Sequence, residues 1–175
     1  MEVRAARPED ARRIAEIHVR SWQRAYAALM PASVLDGLSI GDRESFWREC
    51  LRSGNATVLV ADVDGCVVGW LALGASRDDD ADESVAEIYA MYVDPSRWSQ
   101  RVGTALWAEA EHWLGRSSFE RVTLWVLEGN ARARRFYELI AFALEPDRVK
   151  RFEIGGVVLL ELRYARPVSR RQASA

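Results

Sequence analysis

Apolar residues in the first third of the chain recur with the period of an amphipathic helix. Ile14, Ile17, His18, Ser21 and Trp22 fall on one stripe, which predicts a helix from residue 8 to about residue 28. Pro8-Glu9-Asp10 supplies a ring-fixed start and carboxylates suited to the positive helix end. A short strand at residues 3–5 precedes it, and Pro31 opens a second, short helix. Residues 42–52 read as a third helix with Phe46, Trp47 and Leu51 on its apolar side, ended by Gly54-Asn55.

The pattern then changes to strands. Residues 57–61 and 66–73 are β-rich runs joined by Asp62-Val63-Asp64-Gly65 as a tight hairpin. An acidic loop at residues 77–83 leads to a third run, 85–93, stopped by Asp94-Pro95. Helical period returns over residues 101–116, with Val102, Ala105, Leu106, Ala110, Trp113 and Leu114 predicted to face the core. A strand at 122–127, a helix at 131–140 and an antiparallel pair, 142–144 with 157–164 around Gly155-Gly156, complete the order. No repeat or low-complexity segment interrupts it. One domain is expected over residues 1–166, with a flexible polar tail at 167–175.

Composition narrows the class. A chain of 175 residues with 49% hydrophobic and 29% charged residues suits one soluble core of the α/β or α+β class. A net charge of -2, with arginines scattered among acids, gives no basic stripe for nucleic acid or an anionic membrane. No apolar stretch approaches the roughly 20 residues that a membrane span needs. Cys50 and Cys66 have no metal-like or redox-like spacing, and Met1 leads into Glu2 and Arg4 without an apolar run. A cytoplasmic protein without a metal is therefore expected.

The candidate chemistry begins at Glu87. From there a strand runs through Met91, Tyr92 and Val93 into a small and polar loop, then into a helix start at Ser99, Gln100, Arg101, Val102, Gly103 and Thr104. A helix start offers unpaired N–H groups and a positive dipole end, the elements of a phosphate site. Taken locally, the same residues also describe an ordinary strand-to-helix turn. Further on, Leu124-Trp125-Val126-Leu127-Glu128-Gly129-Asn130 leads into Ala131-Arg132-Ala133-Arg134-Arg135-Phe136-Tyr137. Asn130 is placed as a helix N-cap, and Tyr137 lies two turns later on the same face.

Together these segments resemble the GNAT N-acetyltransferase superfamily over roughly residues 3–164. The family's Asn-x-x-Ala-x-x-Phe-Tyr helix is present, and Gly103 matches the last glycine of its phosphate loop. Trp98 stands where Arg or Gln is usual, and Arg101 where the first loop glycine is usual. The resemblance implies a mixed, mostly antiparallel sheet of about seven strands, flanked by helices, with a V-shaped strand splay. It also implies acetyl-CoA as cosubstrate, bound by Met91, Tyr92, Val93, residues 99–104 and Asn130, and an amine of a small molecule or peptide as acceptor. Tyr137 is then the proton donor to the leaving thiolate.

Strand alternation places Glu87 on the face of Tyr89, Met91 and Val93, where it can serve as the base or form a structural ion pair. His18 and His112 are weaker candidates. Trp22, Tyr26 and Trp47 are the aromatic candidates for the acceptor site. The acidic run at residues 78–83 is expected to be a solvated loop, or a cation-steering one if it borders the cleft. A non-catalytic acyl-CoA-binding regulatory domain, motivated by Arg101, is the alternative, and an interaction module without the coenzyme is a third. A monomer and a homodimer are both left open.

Overall fold

The computed structural model describes residues 1–169. Seven strands form one sheet: β1 (Glu2–Ala5), β2 (Thr57–Val63), β3 (Cys66–Ala75), β4 (Val85–Val93), β5 (Arg121–Leu127), β6 (Ala143–Ile154) and β7 (Val157–Pro167). Their spatial order is β1-β2-β3-β4-β5-β7-β6, and only the β4–β5 pair is parallel. Among the described residues five α-helices cover it, α1 (Ala11–Ala25), α2 (Ala32–Asp36), α3 (Ile40–Ser53), α4 (Val102–Leu114) and α5 (Ala131–Leu139), with single 3-10 turns at Pro8–Asp10 and Pro95–Arg97. Among the described residues no helix is long and apolar enough to cross a membrane.

The sheet buries both faces. On one, Leu71, Ile88, Leu124 and Tyr164 meet Leu106 of α4 and Tyr137 of α5. On the other, Val60, Trp70 and Ala72 meet Ile14, Ile17 and Trp47, while Tyr26, Met30 and Leu35 close over Leu127 and Leu159. Burial on both sides explains why β3 and β5 read as continuous apolar runs rather than alternating ones.

Several boundaries differ from the sequence expectation. Helix α1 ends at Ala25, because Tyr26 and Met30 turn inward ahead of Pro31, a residue that disfavours helix just before it. Phe46 is 56% exposed and covers Trp47 edge-on instead of entering the core. In α4, Trp107 is buried, whereas Ala105 and Trp113 are only half-buried. Strand β6 runs on to Ile154, since an edge strand tolerates the charged residues that hid it from a periodicity reading. Strand β7 extends to Pro167, and the Val168 N–H donates to the Glu120 carbonyl at 2.8 Å. Residues 170–175 of the expected tail lie outside the described residues.

Two features of β4 create the site. Its parallel pairing with β5 covers only residues 85–88 against 121–124, so residues 89–93 and 125–127 diverge across an opening. The expected V-shaped splay is present. Tyr89 is also an extra residue in the β3–β4 ladder: Ala72 pairs with Ala90, and Leu73 with Ile88. Alternation restarts after it. Met91 and Val93 therefore share the α4 face with Ala86 and Ile88, and Glu87 lies on the opposite face with Ala90 and Tyr92. The predicted face for Glu87 is corrected by this bulge.

Candidate active site

A cavity of about 550 Å³ fills the β4–β5 opening and reaches both faces of the sheet. On the α4–α5 side it is lined by Ser99, Arg101, Val102, Gly103, Thr104, Asn130 and Phe136; on the other by Trp22, Tyr26, Met30, Phe152, Ile154 and Glu161. Met91, Tyr92, Val93 and Tyr137 lie between. Most residues singled out from the sequence thus converge. Gln100 does not line the cavity; its amide donates to the Ser96 carbonyl at 3.2 Å.

The loop into α4 is held at both ends. Although burial opposes ionisation, hydrogen bonds from Ser96 and the Arg13 guanidinium at 2.7 Å hold the Asp94 carboxyl below its ordinary value. The Trp98 indole N–H donates to the Val93 carbonyl at 2.9 Å, and the Ser21 hydroxyl donates to the same oxygen at 3.1 Å. Ser99 and Arg101 take left-handed φ values of 63° and 62°. A Cβ on Gly103 would sit 3.3 Å from the Phe136 ring, so glycine there lets α4 approach α5.

Four arginines line this mouth: Arg97, Arg101, Arg132 and Arg135. Among the described residues none of the four forms an ion pair. Arg132 stacks on the Trp98 ring, its guanidinium 4.4 Å from the centroid. Such unneutralised cations beside the N–H groups of a helix start fit a polyphosphate. Arg101 adds to that charge at the position where glycine was expected. Sequence reasoning assigned no role to Arg97, Arg132 or Arg135; the spacing of the last two, three residues apart on one helix face, was the available signal.

Tyr137 is buried to 7% exposure in α5, with its ring against Phe136 and Phe142. Burial, reinforced by Tyr92, pushes its hydroxyl well above the ordinary value, so it stays protonated at neutral pH. Asn130 caps α5, its side-chain oxygen accepting from the Ala133 N–H at 3.2 Å. Tyr92 accepts a hydrogen bond from the Trp22 indole at 2.8 Å, and the Tyr26 hydroxyl interacts with it.

The other candidates fall elsewhere. Glu87 is buried but does not line the cavity; its carboxylate accepts from the Arg77 backbone at 2.9 Å and from the Arg77 guanidinium at 2.5 Å. Trp47 lies behind the cavity wall, where it contacts Trp70 and donates to His18 Nδ1 at 3.5 Å. His18 is boxed by Trp22, Trp47, Trp70 and Tyr92, and burial, with Arg43 adding to it, lowers it to about 4. His112 is exposed in the last turn of α4. Within the acidic run, Asp78 is bound by Lys150, Arg163 and Trp125, and Asp80 by Arg163 and Arg148. That loop is tied down and neutralised in part, which corrects the solvated-loop expectation.

Comparisons with known proteins agree with this architecture. The profile of the acetyltransferase (GNAT) family matches residues 11–142. The uncharacterized N-acetyltransferase YuaI of Bacillus subtilis is 33% identical over 162 residues, covering 91% of this chain and 89% of its own length. Ribosomal-protein-alanine N-acetyltransferase from Brucella melitensis superimposes with a TM-score of 0.75 at 19% identity, over 95% of this chain and 99% of its own. YncA of Salmonella typhimurium, solved with its cofactor acetyl-CoA, gives 0.74 at 20% identity, over 100% and 98%. The chain belongs to the acetyltransferase (GNAT) family, and it is an acetyltransferase.

Proposed function

We propose that the protein transfers acetyl from acetyl-CoA to a primary amine of a small molecule or a peptide. The observation that carries this reading is the cavity crossing the sheet between β4 and β5, with arginines that form no ion pair among the described residues at one mouth and the Tyr137 side chain in its wall. Arg97, Arg101, Arg132, Arg135 and the start of α4 hold the phosphates. The free edge of β4 at residues 91–93 and Asn130 guide the pantetheine arm into the opening. Tyr137 gives its proton to the departing thiolate. Glu87 is left out of the chemistry, because Arg77 occupies its carboxylate; it fastens the 76–84 loop to β4.

The test has two arms. Acetyl-CoA should raise the melting temperature, since a ligand bound only by the folded state adds about 2.7 kcal/mol at a hundredfold excess over Kd. In Tyr137→Phe the ring and its packing remain, so this shift should persist. The turnover number should fall by about 10²–10⁴-fold with little change in KM for acetyl-CoA, provided chemistry limits turnover. A non-catalytic coenzyme-binding domain predicts the thermal shift without thiol release for any amine. Full activity in Tyr137→Phe with chemistry rate-limiting would remove Tyr137 from the mechanism.

A further inference from the structure

The acceptor-side half of the cavity has a composition of its own. Its walls are Trp22, Tyr26, Met30, Phe152 and Ile154, and Glu161 is the one carboxylate that lines the cavity among the described residues. Glu161 sits in β7 opposite Leu127, at the end of β5 beyond its pairing with β4. It shares strand parity with Leu159, which faces Tyr26 and Met30 across the α1–α2 side. Among the described residues its carboxylate makes no hydrogen bond and no ion pair, whereas Glu87, Asp78 and Asp80 nearby are each bound by arginine or lysine.

Resting on the acetyl-transfer reading above, we propose that Glu161 docks the acceptor's ammonium group and takes its proton, in a chamber built for one cation on an apolar body. The substrate class is an arylalkyl or alkyl monoamine. A buried ammonium needs a countercharge, and the chamber holds one. A polyamine's second cation would lie among Trp22, Met30 and Ile154 unpaired, and an amino sugar's several hydroxyls would meet the Tyr26 and Tyr92 hydroxyls, which are already hydrogen-bonded to each other and to Trp22. An apolar body instead gains from burial, and aromatic faces favour the adjacent cation.

The step balances. The ammonium gives one proton to Glu161, and the freed nitrogen lone pair forms a bond to the thioester carbonyl carbon. The C–S bond breaks, its electron pair leaves on sulfur, and Tyr137 protonates that sulfur. The nitrogen's second proton restores Tyr137 through solvent, and Glu161 releases its own to bulk, so each turnover yields one amide, one thiol and one free proton.

Burial holds the Glu161 carboxyl above its ordinary value, with Lys150 of β6 opposing and Glu87 of β4 reinforcing; Tyr92 of β4 and Tyr26 also face it, and β5 presents the apolar Leu127. Activity that needs the ionised form should therefore fall as pH drops through this raised value. The experiment measures thiol release with phenethylamine, spermidine, glucosamine and an alanine-terminated peptide, in wild type and Glu161→Gln. Phenethylamine should have the highest kcat/KM. Glu161→Gln should lose at least about 100-fold on it and lose the acidic limb of the pH profile, while the acetyl-CoA thermal shift is unchanged. Preference for spermidine, glucosamine or the peptide, or an unaltered pH limb in Glu161→Gln, overturns the inference and leaves acetyl transfer standing. No thiol release with any of the four overturns both.

Discussion

Arg101 carries two opposed effects in one residue. Its left-handed backbone, φ 62°, costs an L-residue about 1–2 kcal/mol, and glycine would relieve that while widening the unfolded ensemble. Its guanidinium, in turn, stands among the cations at the phosphate mouth. Arg101→Gly is therefore expected to leave stability within about 1 kcal/mol of wild type or slightly higher. It should weaken coenzyme A binding by roughly tenfold and flatten its salt dependence, as removal of one charged contact does. Titration calorimetry at two ionic strengths reads both; tighter binding by the glycine variant would identify Arg101 as an obstruction. At this scale the sequence is most legible where a motif is local. Asn130 and Tyr137 lie on one helix, so spacing alone placed them on one face. Glu161 was invisible because nothing in its neighbourhood along the chain says that β7 inserts beside β5.

Among the elements, α1 against β3 and β4 carries a titration signature. His18 is lowered from an ordinary 6.5 to about 4 by burial. A group whose folded pKa is depressed is protonated first in the unfolded chain, so its contribution is lost as pH falls from about 6.5 toward 4. The stability difference between wild type and His18→Phe should accordingly narrow or reverse over that window, with a slope approaching about 1.4 kcal/mol per pH unit. Urea unfolding at pH 7, 6 and 5 measures it, and a pH-independent difference would show that His18 titrates as freely in the fold as outside it. Strands show where periodicity runs out. The boundaries of β4 were legible because Val85 to Val93 is an apolar and aromatic run broken only by Glu87 and closed by Asp94-Pro95. Its bulge at Tyr89 was not, since an extra residue leaves no mark in composition, and one missed bulge turned Glu87 to the wrong face.

For the molecule as a whole, Arg163 joins parts far apart in the chain. Its side chain is 6% exposed, and its guanidinium bonds Asp78 at 3.2 Å, Asp80 at 2.8 Å and Glu145 at 2.6 Å, tying the 76–84 loop to β6 and β7. Arg163→Met leaves Asp78, Asp80 and Glu145 each with one remaining cation, Lys150, Arg148 and Arg121, and should cost about 1–3 kcal/mol, read from the urea midpoint. Lys150→Met, which removes a half-exposed partner of the same Asp78, should cost no more than about 1 kcal/mol. Equal losses would mean that the network acts as scattered surface pairs.

The passage between β4 and β5 reaches both faces of the sheet. On the proposed reading the two substrates arrive from opposite sides and meet in the middle, neither blocking the other's exit. A single molecule joining an amine body to coenzyme A would thread the sheet like a bolt, anchored at each end by a different set of side chains. Once one end is seated, the other binds at an effective concentration in the millimolar range or above, so the two affinities multiply instead of competing. Escape requires both ends to let go together, and the residence time of such a molecule is set by that coincidence.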